Sequence, residues 1–208
     1  DGTVDTAQTY SYGVVVLVSG ENDATVNIGG AVTTTGENAH GVKLNGSDGL
    51  ATANVSGAVI TTGEGAGGVG AQVADGTASI NVSGSIATSG AVATGASADA
   101  KYGHADIDVS GSVVTTGDYS SGVTATSKYA ASVNVEGSIS TSGVYAAGVY
   151  ASSTHPGVLG EQTVSVTVND VSTTGDTSHA ISTWSETGDT QITVTGNVLT
   201  TGNYSHGI

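Results

Sequence analysis

Two carboxylates set two residues apart, Asp106 and Asp108, share one face of any extended segment that contains them. Hydrolysis of a glycosidic bond uses such a pair about 5 to 9.5 Å apart, one as acid and the other as base or nucleophile. Asp108, however, stands where Asn27, Asn54, Asn81 and Asn134 stand in equivalent segments, so the pair reads first as a polar surface column with one substitution. Four further acids, Glu37, Glu64, Asp118 and Asp176, also recur at one place, interrupted by Ala91 and Val144. That pattern suits a solvated corner, with weak divalent-cation binding as the alternative. Three of the five histidines, His40, His179 and His206, fall in one column, and His179 and His206 lie one repeat apart. A metal held there would need more ligands than two imidazoles, and solvated corner histidines are the plainer account. No serine has the nucleophile-elbow context, no Ser, His and Asp stand at triad positions, and the absence of cysteine excludes thiol catalysis. No catalytic residue, metal ligand or cofactor is therefore assigned.

Recognition chemistry has more support than catalysis. Tyr10, Tyr119, Tyr145 and Tyr204 occupy one recurrent position, two residues after a repeated glycine, and Tyr119 and Tyr145 fall on neighbouring repeats. Exposed stacked tyrosines bind sugars or protein partners, because each ring has an apolar body and a polar tip; the plainer alternative is a ladder that shields a corner. Tyr150 and Trp184 face outward by alternation, and near them a stretch over 152–162 carries five residues beyond the period, with His155 and the only proline, Pro156. Insertions in repeat arrays become loops on one face, often the binding face. The candidate partner-binding surface is accordingly Tyr119, Tyr145, Tyr150, His155 and Trp184.

The elements that must position these residues are set by a repeat. A block close to Val-Thr-Thr-Gly places its glycine at 36, 63, 90, 117, 143, 175 and 202, with spacings of 27, 27, 27, 26, 32 and 27. A Gly-Val step five residues on keeps pace at Gly13, Gly41, Gly68, Gly95, Gly122, Gly148, Ala180 and Gly207. Each repeat holds three short segments of period-2 alternation, such as Ile80-Asn81-Val82, divided by small or glycine-containing corners. No segment has enough apolar area to form a hairpin array with its own core. Coiling the chain so that like segments stack in parallel solves this, and predicts a right-handed parallel β-helix over 1–208. It would have three strands of about 4 to 6 residues per coil and about seven and a half coils, making a rod on the order of 36 Å long.

Val and Ile columns are expected inside, with glycines at corners such as Gly30, Gly57 and Gly84 supplying positive φ. The unbroken column Thr34, Thr61, Thr88, Thr115, Thr141, Thr173 and Thr200 is expected to stack its hydroxyls in a ladder. An ice-templating array would need a flat outward Thr face. The column Thr33, Ile60, Ala87, Val114, Ser140, Ser172 and Leu199 is not one.

Composition bounds the rest. With 33 Gly, one Trp and no Phe, Met or Cys, any core must be thin. Three lysines against 18 acids, a net charge of -15, repel phosphate backbones and anionic membranes, so nucleic acid is not a partner. High charge with few large apolar residues also marks disordered chains, a reading that the two markers in lockstep overrule. The longest apolar run, Val14 to Val18, is far short of the roughly 18 residues of a membrane span. The chain has no initiating Met and stops in mid-repeat at Ile208, as expected of a mature piece of something longer.

Segments such as Val-Ser-Gly-Ser-Val-Val-Thr-Thr-Gly-Asp-Tyr-Ser-Ser-Gly-Val (109 to 123) resemble the passenger domains of bacterial autotransporters, over nearly the whole chain from about Tyr10 to Ile208. The resemblance implies a β-helical passenger exposed at the cell surface, a parent anchored by a C-terminal outer-membrane barrel that this sequence does not include, and an adhesive or self-associating role. It carries no catalytic residues. Parallel β-helices also house pectate lyases, which use a basic residue, usually Arg, beside an acidic Ca²⁺ cluster; this chain has no Arg. The expected function is that of an extracellular structural or adhesive β-solenoid, not an enzyme, meeting a cell-surface protein or glycan or copies of itself. Head-to-tail assembly into filaments is the first alternative and polysaccharide cleavage the second.

Overall fold

The computed structural model describes residues 2–154 and 163–208. Alternation is what extends the segments. In Ala24–Ile28, Ala24, Val26 and Ile28 are buried while Thr25 and Asn27 face solvent, the pattern of a strand covered on one side only. Seventeen such strands run through the described residues. They are β1 (Thr3–Thr6), β2 (Val14–Val18), β3 (Ala24–Ile28), β4 (Ala31–Thr34), β5 (Val42–Val55), β6 (Ala58–Thr61), β7 (Val69–Val82), β8 (Ser85–Thr88) and β9 (Ala96–Val109). They continue as β10 (Ser112–Thr115), β11 (Val123–Ser127), β12 (Ala130–Thr141), β13 (Val149–Ser153), β14 (Thr163–Thr173), β15 (Ile181–Ser185), β16 (Asp189–Val194) and β17 (Val198–Thr200). Among the described residues there is no helix.

The strands join one continuous parallel sheet wound as a β-solenoid of about seven turns with roughly 27 residues per coil. Register follows the repeat: Val32 pairs with Val59, Val59 with Ile86, Ile86 with Val113, Val113 with Ile139 and Ile139 with Val171. The insertion is absorbed with one register shift, between Val135 and Ser138, after which Ser140 pairs with Ser172 although they are 32 residues apart. Of the expected insertion 152–162, Ser152 and Ser153 belong to β13, and residues 155–162, His155 among them, lie outside the described residues.

Three local expectations are corrected. In the middle coils the third segment of one repeat and the first of the next do not separate: β5, β7 and β9 each run 14 residues around the corner, because the backbone keeps its ladder bonds through the bend. Corner glycines are needed for a different reason than φ. None of Gly30, Gly57 and Gly84 has positive φ. A Cβ on Gly57 would instead lie 2.0 Å from the Gly30 carbonyl oxygen, so the coils approach too closely there for any side chain. Positive φ recurs instead at another turn, at Tyr10, Asn38, Val92, Tyr119, Tyr145, Thr177 and Tyr204, with φ between 54° and 58°, and at Gly65 with φ 68°; Gly20, and Gly49 and Gly76 at the bends of β5 and β7, have it as well.

The threonine column also behaves differently from a ladder. Thr34, Thr61, Thr88, Thr115, Thr141 and Thr173 are buried, and each Oγ1 donates within its own coil to the carbonyl five residues on, at 2.5 to 3.0 Å. A buried hydroxyl must find a partner, and the turn carbonyl is nearer than the next coil's hydroxyl. The interior is otherwise aliphatic and narrow. Its bulkiest fully buried side chains are those of Leu44, Ile80, Ile86, Ile107, Ile139 and Ile181, packed with Val and Ala.

Candidate functional site

The most developed surface feature grows out of that left-handed turn. In the coil of Tyr119, buried Thr115 donates Oγ1 to the Ser120 carbonyl at 2.8 Å, which folds the chain back on itself over five residues. The tight fold pushes the residue before Ser120 into the left-handed region, where Tyr119 has φ 57°. Its N–H, turned along the solenoid axis, donates to Val144 O at 2.8 Å, and the N–H of Tyr145 donates in turn to Asp176 O at 3.1 Å. Asp118 adds a further tie, with Oδ1 accepting from Val144 N at 2.9 Å, and Ser120 Oγ accepts from Ala93 N at 2.8 Å and donates to Gly90 O at 3.0 Å. Turn and axis are thus cross-braced, and successive residues of this column stand directly over one another.

Tyr119 and Tyr145 consequently stack face to face, ring centroids 5.3 Å apart and 7° from parallel, while remaining 60% and 54% exposed. Tyr10 and Tyr204 occupy the same turn position on coils whose neighbours are Asn38 and Thr177, so they stand out as single exposed rings. Tyr150 and Trp184 do face outward on the third side. Tyr150 is half-buried, in register with Thr124 and Ser182, and Trp184 is 49% exposed, in register with Ser152. Among the described residues neither ring stacks on another ring. The structure brings together two of the five candidate residues, Tyr119 and Tyr145, and leaves Tyr150 and Trp184 as separate surface features.

The groups considered for metal and acid chemistry have other employment. His179 and His206 do stack, 5.1 Å apart, but Nδ1 of His179 accepts the N–H of His206 at 3.1 Å. His40 is bound the same way: Nδ1 accepts Gly67 N at 3.0 Å and its ring lies 5.5 Å from that of Tyr12. Burial, and then the neighbouring Lys43, hold the His40 imidazole below its ordinary range. In the acidic column Asp118 and Asp176 each accept a backbone N–H from the next coil, at 2.9 and 2.7 Å, so these carboxylates cap the turn. Among the described residues no three His, Asp or Glu side chains are placed to hold a metal ion.

Asp108 sits in register between Asn81 and Asn134, as its column predicts, and the amides below it are joined, Asn54 to Asn27 and Asn81 to Asn54, at 2.8 Å. Burial raises the Asp106 carboxyl above the usual carboxylate range; His104 opposes this and Asp108 adds to it. The three lysines all lie against tyrosines, a pairing that sequence reasoning missed. Lys128 Nζ is 4.0 Å and Lys101 Nζ 5.4 Å from the Tyr102 centroid, and Lys43 Nζ is 5.5 Å from that of Tyr12. Its signal was available, since Lys128 follows Lys101 by one repeat and Tyr102 adjoins it.

The fold and its surface define a β-solenoid repeat protein with an exposed aromatic ladder at one turn edge. Comparison with protein-family models, with curated proteins and with solved structures finds no match.

Proposed function

We propose that this chain is an extracellular β-solenoid of the autotransporter passenger type that acts by adhesion or self-association, with the Tyr119–Tyr145 ladder as its docking edge. What supports this reading is the choice of residue at a strained position. The left-handed region disfavours side chains with a Cβ by about 1 to 2 kcal/mol, and Asn or Gly fills it most easily. This chain uses Asn38 and Gly65 at two of its coils and the β-branched Val92 and Thr177 at two more, yet places tyrosine at four. Burial does not explain those tyrosines, because all four are exposed. A conformational penalty accepted for a solvent-facing aromatic pair points to use of the rings.

The occupant of the edge is a cell-surface protein or glycan, or a second copy of the rod. A net charge of -15 argues against nucleic acid. In the parent protein an outer-membrane barrel would supply the anchor, as the sequence resemblance implies. Tyr119→Asn with Tyr145→Asn is the informative variant, since asparagine suits the turn and only the rings are lost. Displayed on cells, it should lower clumping or surface binding by about tenfold or more, as for other exposed aromatic anchors, with the melting temperature unchanged or higher. Undiminished clumping at equal display would remove the ladder from the account.

A further inference from the structure

The third side of the solenoid contains a hollow that packing does not require. Its outward column runs Lys43, Gly70, Ser97, Thr124, Tyr150 and Ser182, each in register with the next, and Gly70 alone lacks a side chain. Gly67, between His40 and Thr94, removes a second one. The result is a half-open hollow of about 250 Å³ whose walls include His40, Lys43, Asn45, Gln72, Ser97 and Asp99. Gly70 differs from the corner glycines. Like Gly30, Gly57 and Gly84 it has no positive φ, but a Cβ built on it meets nothing within 4 Å. Neither backbone nor neighbour demands glycine there, and its effect is to keep the space open.

The walls hold polar groups that the fold leaves without partners. Asn45 Oδ1 is buried and has no donor among the described residues, a condition that in native proteins calls for an explanation. Asp99 is held above the usual carboxylate range by burial alone. Because His40 Nδ1 accepts the Gly67 N–H, the neutral ring carries its proton on Nε2, which makes that nitrogen a donor. Donors and acceptors are therefore interleaved: Lys43, His40 and the Gln72 amide on one hand, Asp99 and Ser97 on the other.

We propose that the hollow over Gly70 binds one neutral sugar ring through its hydroxyls. A hydroxyl both donates and accepts, so a ring bearing several satisfies both sets at once. An anion would face Asp99 on a chain of net charge -15, a cation would face Lys43, and an apolar ligand would strand every polar group in the wall. The volume falls below the roughly 300 Å³ at which sites for drug-sized ligands begin, which suits a single ring. The hollow reaches Val92, one coil before Tyr119 in the turn column, but uses no residue of the tyrosine ladder and stands independently of the adhesive reading.

Saturation-transfer NMR with the methyl glycosides of glucose, galactose, mannose and N-acetylglucosamine tests this. The intact chain should show transfer to at least one of them. Gly70→Leu should abolish it with an unchanged or raised melting temperature and unchanged clumping, and Asp99→Asn should weaken it by about tenfold. Absence of transfer from every glycoside, or transfer that survives Gly70→Leu, would overturn the proposal. So would preferential binding of glycylglycine, a dipolar probe matched to the Lys43 and Asp99 charges.

Discussion

Val92 occupies the same left-handed turn as Tyr119, with φ 57°, although a β-branched residue is the least suited to it. It is 61% exposed, so little burial offsets the strain. Val92→Asn should therefore stabilise the chain by about 1 kcal/mol, read as a rise of about 2 to 4 °C in thermal unfolding; a fall in melting temperature would show that the turn is not strained. His40 makes a pH-dependent contribution at the same scale. Its folded pKa lies below the unfolded value of 6.5, so the unfolded chain binds the extra proton first as pH drops. The sign follows from linkage: stability is full above about pH 6.5 and declines as pH falls toward the depressed folded value. Between pH 7.5 and 5.5 the stability of the natural chain should fall relative to that of His40→Gln. Parallel curves would exclude the effect.

Among the elements, the stacked turn and corner set the tolerances. Gly117 lies over Gly90, and a Cβ on it would stand 1.9 Å from the Gly90 carbonyl oxygen. Gly117→Ala must push adjacent coils away from each other, and should cost about 3 kcal/mol or more in chemical unfolding, whereas Gly70→Ala, with open space above it, should be neutral or stabilising. Equal effects would mean that the coils are not in close contact. Strand identity, inward columns and the Tyr119–Tyr145 adjacency were legible in the sequence, because a strict period with alternation leaves one register that buries Val and Ile. The roles of glycine and threonine were not. Whether Gly57 is needed for φ or for space, and whether Thr115 bonds to its neighbour coil or to its own turn, depends on ångström-scale approach of backbones that no one-dimensional pattern contains. The hollow at Gly70 went unread for a related reason: in a chain with 33 glycines, one whose Cβ would meet nothing looks like all the others.

At the scale of the whole molecule, the turns stack in the same register as the one continuous parallel sheet, so ladder, amide stripe and hollow are all consequences of that register. Charge is distributed by that register too, with all three lysines against rings and carboxylates capping the turns of coils that would otherwise expose backbone N–H groups. Nothing in the proposed adhesion or sugar binding survives if the coils do not stack as described. The insertion gives the sharpest test, because there the spatial partner departs from the 27-residue period. The chain has no cysteine of its own, and strands about 4.8 Å apart bring paired Cα atoms within disulfide range. Ser140→Cys with Ser172→Cys, 32 residues apart and paired in register, should oxidise to an intramolecular disulfide in high yield. Ser140→Cys with Thr167→Cys, 27 apart but unpaired since Thr167 lies opposite Asn134, should not. The reverse outcome, or equal yields from both, would contradict the stacked-coil account.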